Sequence, residues 1–221
     1  MSTPFVDRNA DPAIHGFIHQ PARANGDAIV LTHGAGANCD SKLLLEMAAA
    51  FAASGFRVLR FDLPFRTMHP HGPPGPGSAL KDRQGLRRAV AIMREMMRET
   101  TKGRVFLGGH SYGGRQATML SADQPGLVDG LLLLSYPLHP PLKPEQLRTQ
   151  HLPKLRTPAL FVHGTRDPFG TAEEVASALR LIPAKVCLLR VEGAGHDLGF
   201  KGELKLVPDV VSEFENLFQQ A

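Results

Sequence analysis

The run Gly109-His110-Ser111-Tyr112-Gly113 sits directly behind the apolar stretch Val105-Phe106-Leu107 and ahead of Gln116-Ala117-Thr118-Met119-Leu120. It constrains this chain more than any other feature, because it reads as a strand turning abruptly into a helix. Such an elbow holds its apex residue in a strained conformation, needs glycine on both flanks, and pushes the apex hydroxyl out above the sheet edge. Ser111 is thereby offered as a nucleophile. The plainer reading is a glycine turn in which Ser111 merely caps the next helix, a common use of serine. What favours the nucleophile is the rest of the chain.

A serine at such an elbow works with an acid and a base that follow it in that order, each at the end of a later strand. Asp167 follows the strand-like Ala159-Leu160-Phe161-Val162-His163, within Gly164-Thr165-Arg166-Asp167-Pro168-Phe169-Gly170. His196 follows Val186 to Val191, within Glu192-Gly193-Ala194-Gly195-His196-Asp197-Leu198. Asp197 competes with Asp167 as the orienting acid, but adjacent residues of one loop tend to point apart, so Asp167 is expected in that role. One N–H of an oxyanion hole is expected from Tyr112, the residue after the nucleophile.

Apolar runs alternate with amphipathic helices, the pattern of a doubly wound, mostly parallel α/β sheet covered on both faces. Candidate strands are 28–31, 57–61, 105–107, 131–134, 159–162 and 186–191, with a short antiparallel start around 13–19. Leu44, Met47, Ala48 and Phe51 share one helical face; Leu86, Val90, Met93 and Met97 share a second; Val207, Val210, Phe214 and Leu217 share a third. The connection 135–158 is short and interrupted by proline, which cannot sustain a helical lid. No cap domain is expected, and the site should be open, walled by 65–77, 136–142, Phe169 and Phe200. At 221 residues with 43% hydrophobic content, one domain spanning 1–221 is expected.

With these motifs the chain resembles the α/β-hydrolase superfamily, in particular its small, lidless, dienelactone-hydrolase-like branch. It also resembles the testis-expressed hydrolase-like proteins and a subunit of a nuclear histone-acetyltransferase complex. The matching segments are 32–37, 60–65, 109–114, 136–141, 164–170 and 193–198. Dienelactone hydrolases proper carry a cysteine nucleophile where this chain has Ser111, so lactone chemistry is not implied. The resemblance implies Ala35, in the glycine-rich loop His33-Gly34-Ala35-Gly36-Ala37, as the second oxyanion N–H, with Gly36 as the alternative. It also implies a serine hydrolase of carboxylic esters or thioesters that works without a cofactor. Two other readings stay open: a binding or scaffold protein that keeps the fold, and an acyltransferase or peptidase using the same residues.

Charge and cysteine usage narrow the field. The 25 basic against 21 acidic residues form a mild excess spread through the chain, which does not point to nucleic acid. Cys39 and Cys187 stand far apart and read as plain thiols, not a disulfide framework or zinc site. The first residues lack the pattern of a secretory signal and no stretch reaches membrane-span length, so a cytoplasmic protein acting on a small molecule is expected. Nothing in the sequence indicates the oligomeric state. His69 and His71 form a His-x-His pair without a third ligand at recognisable spacing, so no metal is assigned. His33 is expected to orient its loop, Asp62 to fix its own, and His110 to point away from Ser111; His139 has no assigned role.

Overall fold

The computed structural model describes residues 2–9, 11, 13–98, 103–199 and 205–219. Its strands are β1 (Ser2–Asp7), β2 (Ile14–His19), β3 (Ala28–Thr32), β4 (Arg57–Phe61), β5 (Val105–His110), β6 (Gly130–Leu134), β7 (Ala159–Gly164) and β8 (Val186–Val191). They form one sheet in the order β1-β2-β4-β3-β5-β6-β7-β8. The first two pairings are antiparallel and all the others parallel. The helices are α1 (Lys42–Ala53), α2 (Pro64–Met68), α3 (Ser78–Arg98), α4 (Tyr112–Asp123), α5 (Ala172–Leu179) and α6 (Val207–Gln219).

The central strands are apolar throughout because both faces of the sheet are covered, and their side chains separate by parity. Leu131 and Leu133 pack with α3 and α4, whereas Leu132 and Leu134 pack with α1 and α6. The expected stripes of α1, α3 and α6 are all buried. On the α1 and α6 side, Phe214 meets Phe51 and Phe106 edge-on at 5.2 and 5.0 Å between ring centroids, which ties both helices to β5. The connection 135–158 holds only one 3-10 turn, Leu152–Lys154, and no cap stands over the sheet edge there. One strand went unexpected. β1 has no alternating pattern, is mostly exposed and contains Pro4, which an edge strand tolerates; its strand character comes from pairing with β2.

Three buried or partly buried histidines couple the fold to pH. Burial pushes His19, His110 and His151 from 6.5 down to about 4, helped at His19 by Arg60 and at His151 by Arg115. In the unfolded chain each ring takes up its proton near 6.5, while the folded protein refuses it until about 4. Stability from these groups is therefore complete above 6.5 and is lost as the pH falls through that window, by up to about 3 kcal/mol for the deeply buried His110 and by less for His19 and His151, which solvent screens in part. Urea midpoints measured across that range should fall steeply with acid; a flat profile would show that the rings are not held neutral.

Candidate active site

Ser111 precedes α4 with φ 50° and ψ −115°, a left-handed conformation that a side-chain-bearing residue adopts only under constraint. The constraint is visible on either side. Ser111 N donates to Leu134 O at 2.8 Å, and Arg115 N, one turn on, donates to Ser111 O at 2.9 Å. The strand and helix meet so closely that a Cβ on Gly109 would lie 2.6 Å from Gly114 N, and one on Gly113 would lie 2.5 Å from His33 O. Glycine flanks are thus a packing requirement of this turn.

The loops after β7 and β8 bring Asp167 and His196 to this serine. His196 Nε2 lies 2.7 Å from Ser111 Oγ, and His196 Nδ1 lies 2.7 Å from Asp167 Oδ2. Since a carboxylate only accepts, Nδ1 carries the proton and Nε2 offers its lone pair to the serine hydroxyl. Asp167 is 3% exposed, and its other oxygen accepts from Phe169 N at 2.8 Å. His163 donates through Nε2 to Gly170 O at 2.7 Å, closing the loop around Asp167, and burial holds its ring neutral by lowering its pKa. The Phe169 ring lies on His196 at 4.2 Å with 33° between planes. Asp197 is exposed and accepts from Gly199 N at 3.2 Å, so of the two candidate aspartates Asp167 is the one that meets His196.

The loop after β3 is held from behind. His33 donates through Nδ1 to Gly34 O at 2.8 Å and accepts from Leu63 N at 3.1 Å through Nε2; Ala37 N also donates to Gly34 O, at 3.2 Å. Arg66 donates to Ala35 O and Ala37 O, both at 2.8 Å. N–H and C=O of one trans peptide point in opposite directions. Anchoring Gly34 O and Ala35 O therefore turns the N–H groups of Ala35 and Gly36 the other way. Neither of them, nor the N–H of Tyr112, meets an acceptor among the described residues. Gly34 packs against the serine turn, where a Cβ would lie 2.9 Å from His110 Nδ1 and 3.3 Å from Ser111 Cβ. Gly34→Ala should force the loop outward and lower turnover by about 100-fold with little change in melting temperature. Wild-type kinetics in that variant would mean that the loop does not serve the site.

Two supporting side chains escaped the sequence reading. Arg66 had no local signal. Asp82 had one: it lies four residues before Leu86 on an apolar helical stripe, where an acid needs a partner. It is fully buried and accepts from Tyr112 Oη at 2.6 Å and Phe65 N at 3.0 Å, with burial raising its pKa. Phe65 is accordingly buried edge-on against Tyr112 at 5.7 Å and does not wall an open cleft. Asp62 accepts from Cys39 N at 2.7 Å, fixing its loop. His139 is buried, donates through Nδ1 to Pro140 O, and binds Phe169 O through its main chain, tying the 136–142 segment to the Asp167 loop. His69 and His71 are exposed, and Phe200 lies outside the described residues.

Solved structures share this architecture over nearly whole chains. A dienelactone hydrolase from Anabaena variabilis has a TM-score of 0.75 at 22% identity, with 98% of this chain and 97% of that one covered. Est1E from Butyrivibrio proteoclasticus has a TM-score of 0.74 at 15% identity, with 99% of each covered. An esterase from Pyrococcus furiosus has a TM-score of 0.72 at 15% identity, covering 100% of this chain and 91% of that one. At these identities the likeness speaks for the fold. The sequence itself matches the model of an alpha/beta hydrolase domain over residues 25–207, from just ahead of β3 to the opening of α6, and the chain belongs to that family.

Proposed function

We propose that this hydrolase is a serine hydrolase that cleaves a carboxylic ester or thioester through an acyl-enzyme on Ser111. Ser111 Oγ attacks the carbonyl carbon while its proton passes to His196 Nε2, and a tetrahedral oxyanion forms. His196 then gives that proton to the leaving alkoxide or thiolate as the carbon–heteroatom bond breaks, leaving the acyl group on Ser111. Water repeats the sequence, releasing the acid and restoring the serine. Asp167 keeps His196 in the tautomer with its proton on Nδ1 and stabilises the imidazolium, and the face of Phe169 favours the same cation. The N–H groups of Ala35 and Tyr112 hold the oxyanion, each contributing about 3 kcal/mol. Every step uses side chains, main-chain amides and water, so no cofactor is required.

The observation that carries this reading is the unbroken hydrogen-bonded chain from Asp167 through His196 to Ser111, with 2.7 Å at both links. Among the structural neighbours, Est1E has been seen with ferulic acid bound, which supports a small carboxylic substrate for this chain too. The connection 135–158 lacks a helical lid. Short acyl groups, or an exposed ester of a larger molecule, therefore suit the site better than long buried chains. A fluorophosphonate probe should label the purified protein, and hydrolysis of p-nitrophenyl esters should decline as the acyl chain lengthens, with no rate jump at a lipid interface. A folded protein inert to both reagents would make the scaffold reading the better one. Preference for long chains with interfacial activation would reveal a deep acyl tunnel.

A further inference from the structure

We propose that His110 is a positioning residue for the base, holding the His196 main chain and the Gly34 loop in register around Ser111. The inference rests on the hydrolase reading above and names a part of that machinery. His110 adjoins Ser111 in sequence, yet its ring turns away from the serine hydroxyl. Its Nε2 lies 2.8 Å from the carbonyl oxygen of His196, and since a carbonyl only accepts, Nε2 carries the proton and donates it. The two imidazoles face each other at 5.1 Å between centroids, with 47° between planes. The opposite edge of the His110 ring touches the loop after β3, where a Cβ on Gly34 would lie 2.9 Å from Nδ1.

What makes this contact consequential is that, among the described residues, it is the one hydrogen bond made at the main chain of the base itself. The loop carrying His196 contains Gly193 at φ 71° and is tied to the loop after β7 ahead of the base, where Arg166 N donates to Ala194 O at 2.9 Å and Gly193 N donates to Thr165 Oγ1 at 3.0 Å; Leu198 N closes it behind the base by donating to Gly195 O at 3.2 Å. Among the described residues the His196 main chain makes one hydrogen bond, the one from His110. The flanks of the loop set its path, while the His196 residue itself is oriented by two side-chain bonds, the Phe169 face and the bond from His110. Burial keeps His110 neutral down to about 4, so it donates without placing a second positive charge beside the imidazolium that His196 becomes. One ring thus spans the loops of the base and of the oxyanion donors while being joined to the nucleophile through the backbone.

The test compares His110→Phe, which keeps a planar ring but cannot donate, with His110→Gln, whose amide N–H has nearly the same reach. If the ring positions the base, His110→Phe lowers kcat and the rate of fluorophosphonate labelling by about 10- to 100-fold, with KM and melting temperature little changed. His110→Gln recovers most of that loss. Should phenylalanine not be accommodated, His110→Asn, which has the amide but not the reach, takes its place. A second readout needs no turnover: in proton NMR the hydrogen-bonded Nδ1 proton of His196 should exchange with solvent faster in His110→Phe than in wild type or His110→Gln. Wild-type rates in His110→Phe, a glutamine variant as slow as phenylalanine, or equal exchange in all three proteins would overturn the proposal. The exchange measurement retains this force even if wild type proves inert to esters and probe, an outcome that would count against the hydrolase reading instead.

Discussion

Ser111→Ala is expected to lower turnover of an activated ester by about six orders of magnitude and to abolish fluorophosphonate labelling. The size follows from what is lost. In the proposed mechanism, loss of Oγ leaves no covalent intermediate and gives His196 no nucleophile to deprotonate. Catalysis then falls back on the oxyanion donors and binding, about 10³- to 10⁴-fold over water in related chemistry. The fold should tolerate the change, because among the described residues Ser111 side-chain bonding is confined to His196. Burst kinetics with p-nitrophenyl acetate, compared between wild type and variant, measure the effect directly. An alanine variant that still shows a full burst would remove Ser111 from the mechanism.

Asp167→Asn should cost up to about 10⁴ in turnover with little change in folding. An amide has the size of the carboxylate but can turn an N–H toward His196 Nδ1, which favours the tautomer with the proton on Nε2. That tautomer cannot accept the serine proton. The other oxygen of Asp167, accepting from Phe169 N, can be replaced by the amide oxygen, so the loop should survive. Asp197→Asn is the matched control. Its side chain binds Gly199 N within its own exposed loop, and most activity should remain. Steady-state kcat for both variants decides the matter; the reverse ranking would transfer the acid role to Asp197 and require a different arrangement of the loop after β8.

Much of this fold is legible along the chain because its signals are local. Parity in Leu131 to Leu134, the helical stripes of α1, α3 and α6, and the glycines around Ser111 each report a period or a turn that neighbouring residues impose on one another. β1 was not legible, since an exposed edge strand needs no pattern of its own once β2 supplies hydrogen-bonding partners. Asp82 could have been found as an acid on an apolar stripe, but its partners, Phe65 and Tyr112, belong to other elements.

The candidate site divides in the same way. Sequence by itself determined the strand-to-helix turn that presents Ser111, and the order in which an aspartate and a histidine follow it on later loops, because turn chemistry and strand succession are written in consecutive residues. Only the tertiary structure decided which aspartate meets His196, which carbonyl the His110 ring reaches, and that Arg66 holds the loop after β3 from behind. Those contacts join residues as far as 86 positions apart. They depend on how the twisted sheet brings the ends of β3, β5, β7 and β8 together, and no local pattern carries that information.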